Sequence, residues 1–167
     1  RHHARHGIGF VVVLGSINKE IVADEEFGDL KYPDMMPDER LSRVLSELAN
    51  DAPDQVSEYV AALIANEATP ESHLFVALSI AEGLDLTEQR SRSILRSALQ
   101  NRMHTLAQRI DESPAHEAQS AMFWSAVRCC ASLMSPSDVR HLLPLLDFQD
   151  VQSRDAVLQA IYHILST

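Results

Sequence analysis

The stretch from Thr87 to Ile110, TEQRSRSILRSALQNRMHTLAQRI, decides the fold class. Its apolar residues Leu95, Leu99, Met103, Leu106 and Ile110 step by four, four, three and four. That spacing keeps one face of an α-helix apolar for about four turns. Thr87 opens the helix, and Ser113-Pro114 restarts the chain after it.

Working toward the C-terminus, His116 to Met134 reads as a helix that is apolar nearly all round, carrying Met122, Phe123, Trp124, Val127, Cys129, Cys130 and Leu133. Such a helix should be the most buried element. Ser135 then serves as N-cap with Pro136 at N1 of a short helix reaching Leu146. The turn Asp147-Phe148-Gln149-Asp150 leads into a last helix with Val151, Ala156, Val157, Ala160, Ile161 and Ile164.

Working toward the N-terminus, Pro37 or Asp38 opens a helix through Leu41, Val44, Leu45 and Leu48. Asn50-Asp51-Ala52-Pro53 ends it and places Pro53 at or near N1 of a second, with Val56, Val60, Ala61, Leu63 and Ile64. Thr69 reads as N-cap and Pro70 as N1 of a third, through Leu74, Phe75, Leu78 and Ile80, stopping near Gly83 as C′ residue. Connections of a few residues force neighbouring helices antiparallel.

Residues 1–36 differ. Four of the five glycines (Gly7, Gly9, Gly15, Gly28) lie there. The run Ile8–Leu14 is β-branched and apolar and reads as a buried strand, with a turn at Gly15-Ser16-Ile17-Asn18 and a short return over Ile21-Val22-Ala23. Two strands alone are marginally stable, so they need the helices or another chain to pack on. Asp24-Glu25-Glu26 reads as an acidic linker, and Pro33 and Pro37 mark the boundary. The expected organisation is a strand-like segment and acidic linker over 1–36 and a helical domain over 37–167. The chain starts at Arg1 rather than Met, which reads as a processed product or a segment of something longer.

The segment His141-Leu142-Leu143-Pro144-Leu145-Leu146-Asp147, continuing through Asp150, Arg154, Ala156 and Ala160, resembles a repeat of the HEAT/armadillo family over residues 141–165. In that family a Leu-rich first helix with a proline precedes an Asp-bearing turn and a second helix with Val-Arg and small residues. Ser153 stands where the Val is usual, and the earlier hairpins lack the signature. The resemblance implies stacked helix hairpins that act as an interaction scaffold, and it supplies no catalytic residue. The expected fold is therefore all-α, antiparallel hairpins stacked as a short HEAT-like solenoid, with an irregular helical bundle as the alternative.

The chemistry-bearing residues form no recognisable constellation. His2, His3 and His6 cluster, as transition-metal ligands do, though a flexible terminus is the plainer reading. Gly7 and Gly9 precede the apolar run instead of following it, against a dinucleotide fingerprint. His73, His104, His116, His141 and His163 are scattered without metalloprotease spacing. Glu25-Glu26 and Asp111-Glu112 are adjacent carboxylates, which do not define an acid/base pair. Cys129 and Cys130 neighbour each other on a helix, about 100° apart, a poor disulfide geometry. They read as inert core thiols, although Arg128 beside an exposed Cys130 would activate it. No catalytic, metal or cofactor residue is assigned, and no enzyme activity is expected.

Charge narrows the partners. The net charge is −10, which argues against generic nucleic-acid binding. No apolar run is long enough to span a bilayer. From Asp38 to Glu88 there are eleven acidic residues against Arg40 and Arg43, whereas Arg90, Arg92, Arg96, Arg102 and Arg109 follow with no acid among them. Intramolecular pairing accounts for this pattern most simply, with an acidic surface docking a basic partner as the functional alternative. The expected function is a cytoplasmic protein–protein interaction scaffold or adaptor without cofactor. A regulatory or oligomerisation domain of a larger protein, with self-association, is the alternative. An enzyme with an unrecognised site comes third.

Overall fold

The structure, a computed structural model, describes residues 37–112, 117–147 and 150–167. Within them the chain is helical, with no strand. The α-helices are α1 (Pro37–Asp51), α2 (Pro53–Ala65), α3 (Glu71–Glu82), α4 (Gln89–Glu112), α5 (Glu117–Ser132) and α6 (Val151–Ser166). Two 3-10 turns, Pro136–His141 and Leu143–Asp147, stand between α5 and α6. No helix is long and apolar enough to cross a membrane among the described residues. The strands expected over 8–14 and 21–23, the linker at 24–26 and the whole 1–36 segment lie outside the described residues.

The chain divides into two units, Arg1–Val44 and Leu45–Thr167. Helix α1 crosses from one to the other. Its first turn carries Asp38 and Glu39, whose carboxylates complement the positive end of the helix dipole. Leu41 and Leu45, four residues apart and so on one face, are both buried.

In the second unit, α2 packs on α3 and on α4, α3 on α5, α4 on α5, and α5 on α6. The hairpins α2/α3 and α4/α5 thus lie side by side, α2 against α4 and α3 against α5. Helix α6 also touches both 3-10 turns. The expected stripe on α4 is the core: Leu95, Leu99, Met103, Leu106 and Ile110 are all buried. Burying each such side chain contributes about 1.5–3 kcal/mol relative to leaving it in water. Ala98 and Ala107 on α4, Ala126 and Ala131 on α5, and Ala156 and Ala160 on α6 are buried too, and their small size lets backbones approach.

Several local expectations give way. Pro136 to Leu146 forms two 3-10 turns in place of a short α-helix. Pro144 has no N–H and its ring crowds the preceding turn, so an α-helical ladder cannot pass through it. Pro70, not Thr69, is the N-cap of α3, and the Thr69 hydroxyl donates instead to the Leu63 carbonyl at 2.7 Å, closing the end of α2. Gly83 caps α3 with φ of −95°, a conformation open to any residue, so no left-handed C′ turn forms there. Phe75 and Val151, named among the apolar residues of their helices, point to solvent.

Polar side chains fix the ends. Asp54, in the first turn of α2, reaches the start of α4: its carboxylate accepts from the Glu88 amide at 3.0 Å, the Thr87 amide at 3.2 Å and the Thr87 hydroxyl at 2.8 Å. It fixes the two residues that lead into a helix more than thirty residues later, satisfying amides of that turn. Burial would raise its pKa, but these bonds and one to Ser91 outweigh that and hold the carboxyl below its ordinary value. Asp138 accepts from the Ser135 amide at 2.9 Å and from Arg96 of α4 at 3.2 Å. The Ser135 amide is the main reason its carboxyl is also held low, against a smaller opposing effect of burial, with the Ser135 hydroxyl and Arg96 adding to the lowering. Asp150 caps α6, accepting from the Ser153 amide at 2.7 Å and its hydroxyl at 2.6 Å.

Replacing Asp54 by Ala should lower stability by about 1 kcal/mol at neutral pH, read by urea unfolding. Because both carboxyls are lowered on folding, their contribution is present above the unfolded value of 3.8 and is lost as pH falls through the lower folded values. A double variant Asp54→Asn, Asp138→Asn should therefore show a flatter loss of stability between about pH 5 and pH 2 than the parent.

Candidate functional site

Helices α5 and α6 do not close fully against each other. Between them lies a groove of about 340 Å³ lined by Trp124, Val127, Arg128 and Ala131 of α5 and Ala156, Gln159, Ala160 and His163 of α6. Val127, Ala131, Ala156 and Ala160 are buried and form its floor, while Arg128, Gln159 and His163 are exposed at its rim. Trp124, half-buried, supplies an aromatic wall. The groove exists because small residues face each other across this pair: three of the four floor positions are alanine. A concave, mainly apolar site of this volume with a few polar groups at its edge is the usual form of a binding pocket.

The rim is held from α3. Glu82 accepts from Arg128 at 3.3 Å and from the Ser125 hydroxyl, so the guanidinium is anchored over one end of the groove. With the Arg128 side chain largely exposed, this pair contributes little to stability and chiefly fixes orientation.

Of the chemistry-bearing residues weighed in the sequence, His163 and Arg128 reach the groove. His73 is half-buried on α3, His104 is exposed on α4 and His141 is exposed on the first 3-10 turn. His2, His3, His6, His116 and Glu25-Glu26 lie outside the described residues. No group of three metal-ligating side chains is found among the described residues. Asp111 and Glu112 take structural partners: Asp111 accepts from the Asp150 amide at 3.1 Å and Glu112 from Gln108 at 3.3 Å.

Cys129 and Cys130 are free and buried. Burial, with the nearby Glu82 charge, pushes the Cys129 thiol up to about 12. Burial does the same to Cys130, also to about 12, against a small opposing pull from Arg96. Arg128 points away to Glu82, so it does not activate Cys130. Thiols with that pKa carry almost no thiolate at neutral pH and are poor nucleophiles.

The arginine-rich helix resolves into separate roles. Arg96 pairs with Asp138, whereas Arg90 and Arg109 are exposed. Arg102 is only 4% exposed, and its Nε and Nη1 meet no hydrogen-bond partner among the described residues. Burial lowers its pKa, the Arg109 charge adds to that, and Glu67 opposes both. Nothing in the residue type signals this burial, but the position does: Arg102 follows Leu95, Leu99 and Ala98 by seven, three and four residues, on the edge of the apolar stripe. Val127 and Trp124, on the α5 side of the groove, read in the sequence only as apolar helix positions, and Ala131 was not singled out.

The chain matches no protein-family model, no curated protein and no solved structure.

Two outcomes test this description. In native protein neither thiol should react with Ellman's reagent over minutes, and both should react on unfolding; one fast native thiol would contradict their burial. Arg102→Met keeps the stem and removes the unpartnered donors, so it should raise stability by about 1 kcal/mol in urea unfolding.

Proposed function

We propose that this chain is a protein-interaction module built from stacked HEAT-like helix hairpins, and that the α5/α6 groove is where it takes hold of a partner. The observation that carries this reading is the groove itself: an apolar floor between two helices, an aromatic wall, and polar groups confined to the rim. An amphipathic segment of another protein suits it, with a large apolar side chain on the alanine floor and an acidic group beside Arg128 and His163.

The order of packing supports the HEAT-like part. Consecutive hairpins lie alongside one another with first helix on first helix and second on second. The two 3-10 turns and α6 stand as a third pair in which Pro144 has broken the first helix. The Asp150 cap supplies what the Asp-bearing turn of such a repeat provides, a carboxylate that accepts the amide at the start of the second helix. Ser153, the departure from the usual pattern, belongs to that cap as a second donor. The excess of acid from Asp38 to Glu88 leaves a basic partner surface as a further reading of specificity.

A regulatory or oligomerisation role is favoured by a separate observation, the apolar side chains that α6 exposes.

The groove reading is tested by filling the groove. Gln159→Trp places a large ring over the alanine floor from an exposed position and should leave the fold intact. A tagged full chain should retain a specific protein from native lysate at moderate salt, and the variant should lose it by about tenfold or more. A control tryptophan at exposed Ser79 on α3 should retain it. Equal capture by both variants would sink the groove as the binding surface.

A further inference from the structure

The chain carries 24 acidic residues against 14 lysines and arginines, and the α5/α6 groove reverses that balance. Among the described residues that line it, Arg128 and His163 are basic and none is acidic. Two acids are bonded to the rim without lining the groove. Glu82 accepts from Arg128 at 3.3 Å and from the Ser125 hydroxyl, and Asp155 accepts from Gln159 at 2.9 Å.

The hydrogen-bonding character of the rim follows from this. A guanidinium donates and has no acceptor. The bond to Glu82 uses one N–H on Nη2, and no second side-chain partner for Arg128 occurs among the described residues. Whichever edge of the planar fork Glu82 occupies, the other edge keeps two parallel N–H groups, the pattern that matches a carboxylate. The side chain is 65% exposed, so that edge is open to a ligand. The His163 ring, on the α6 side, offers a further N–H.

Size limits the anchor. The floor is one helical turn long, from Val127 to Ala131 on α5 and from Ala156 to Ala160 on α6. Its volume of about 340 Å³ lies at the small end of ligand pockets. It takes one large side chain, with Trp124 as the wall beside it. Arg128 stands within the same turn, so a group that reaches it lies within about four residues of the anchor on a helical ligand.

We propose that the groove selects an acidic peptide segment, with one large apolar side chain on the alanine floor and an Asp or Glu carboxylate within one turn of it bonded to the open edge of Arg128. This deepens the groove reading and rests on it. Arg128 is the specificity-determining residue, and the bond to Glu82 fixes where its open edge lies. A lysine or arginine in the same place would set like charges together, and a neutral amide would bring one acceptor to an edge with two donors. The net charge of −10 opposes the approach of an acidic segment, so the contact acts on residence more than on arrival.

The test is selection of random peptides of about a dozen residues, displayed on phage, against the immobilised full chain at moderate salt. The enriched peptides should share one large apolar residue with Asp or Glu within about four positions of it. In titrations with one enriched peptide, changing its acid to the amide should weaken binding to the parent chain about tenfold. Against Arg128→Gln the acid and amide peptides should bind alike. Against Arg128→Glu a lysine in place of the acid should bind better than either. Arg128 is exposed, so both variants should keep the circular dichroism of the parent. Peptides that are lost with Gln159→Trp but carry no acid overturn the acidic selection and leave the groove as the binding surface. Acid-bearing peptides whose preference survives Arg128→Gln do the same. Peptides indifferent to Gln159→Trp, or no enrichment at all, overturn the groove reading and this proposal with it.

Discussion

Helix α4 is held in place by polar contacts at its start, its middle and its end, and the positions of the other helices follow from that. Asp54 on α2 accepts from the Thr87 and Glu88 amides, just before its first residue. Arg96 midway along it binds Asp138 of the first 3-10 turn. Asp111 near its end accepts from the amide of Asp150, the residue that caps α6. Each of these contacts joins segments more than thirty residues apart in sequence. Hydrophobic burial supplies most of the driving force but little register, because a stripe of leucines packs nearly as well after a small slide. A carboxylate that accepts named amides does not permit the slide. The apolar face of α4 and these contacts together set where α2, α5 and α6 lie.

The groove is a by-product of the same arrangement. Where α5 meets α4 and α3, its large residues Met122 and Phe123 are buried. Where it meets α6, alanines face each other and leave space. Arg128 is drawn to one side by Glu82 at the end of α3, so the charge that would otherwise cover the floor stays on the rim.

The helices were legible in the sequence because their signals are local. The four–four–three–four spacing on α4 and the prolines at 37 and 53 mark elements with little tertiary information. The Asp150 cap was legible in the same way. Asp54 was not: its partners lie on another helix, and an Asp after a proline looks like any first-turn carboxylate. The 3-10 turns were missed because Pro144 was read as part of a repeat signature and not as a break in a hydrogen-bond ladder. The outward stripe on α6 was missed for a different reason. Val151 and Ile164 are equally apolar, and only the position of α5 determines which of them is covered. The groove needs two helices at a known separation, which no single-helix pattern encodes.

The chain contains one tryptophan, and it stands in the groove wall. The intrinsic ultraviolet emission of the protein above the tyrosine band is thus a local signal from the α5/α6 boundary. Melting followed by that emission would register the parting of these two helices, and backbone circular dichroism would register all of them. If α6 frays before the α2–α5 core, the two signals will separate in temperature, and the difference will measure how independently the last helix is held.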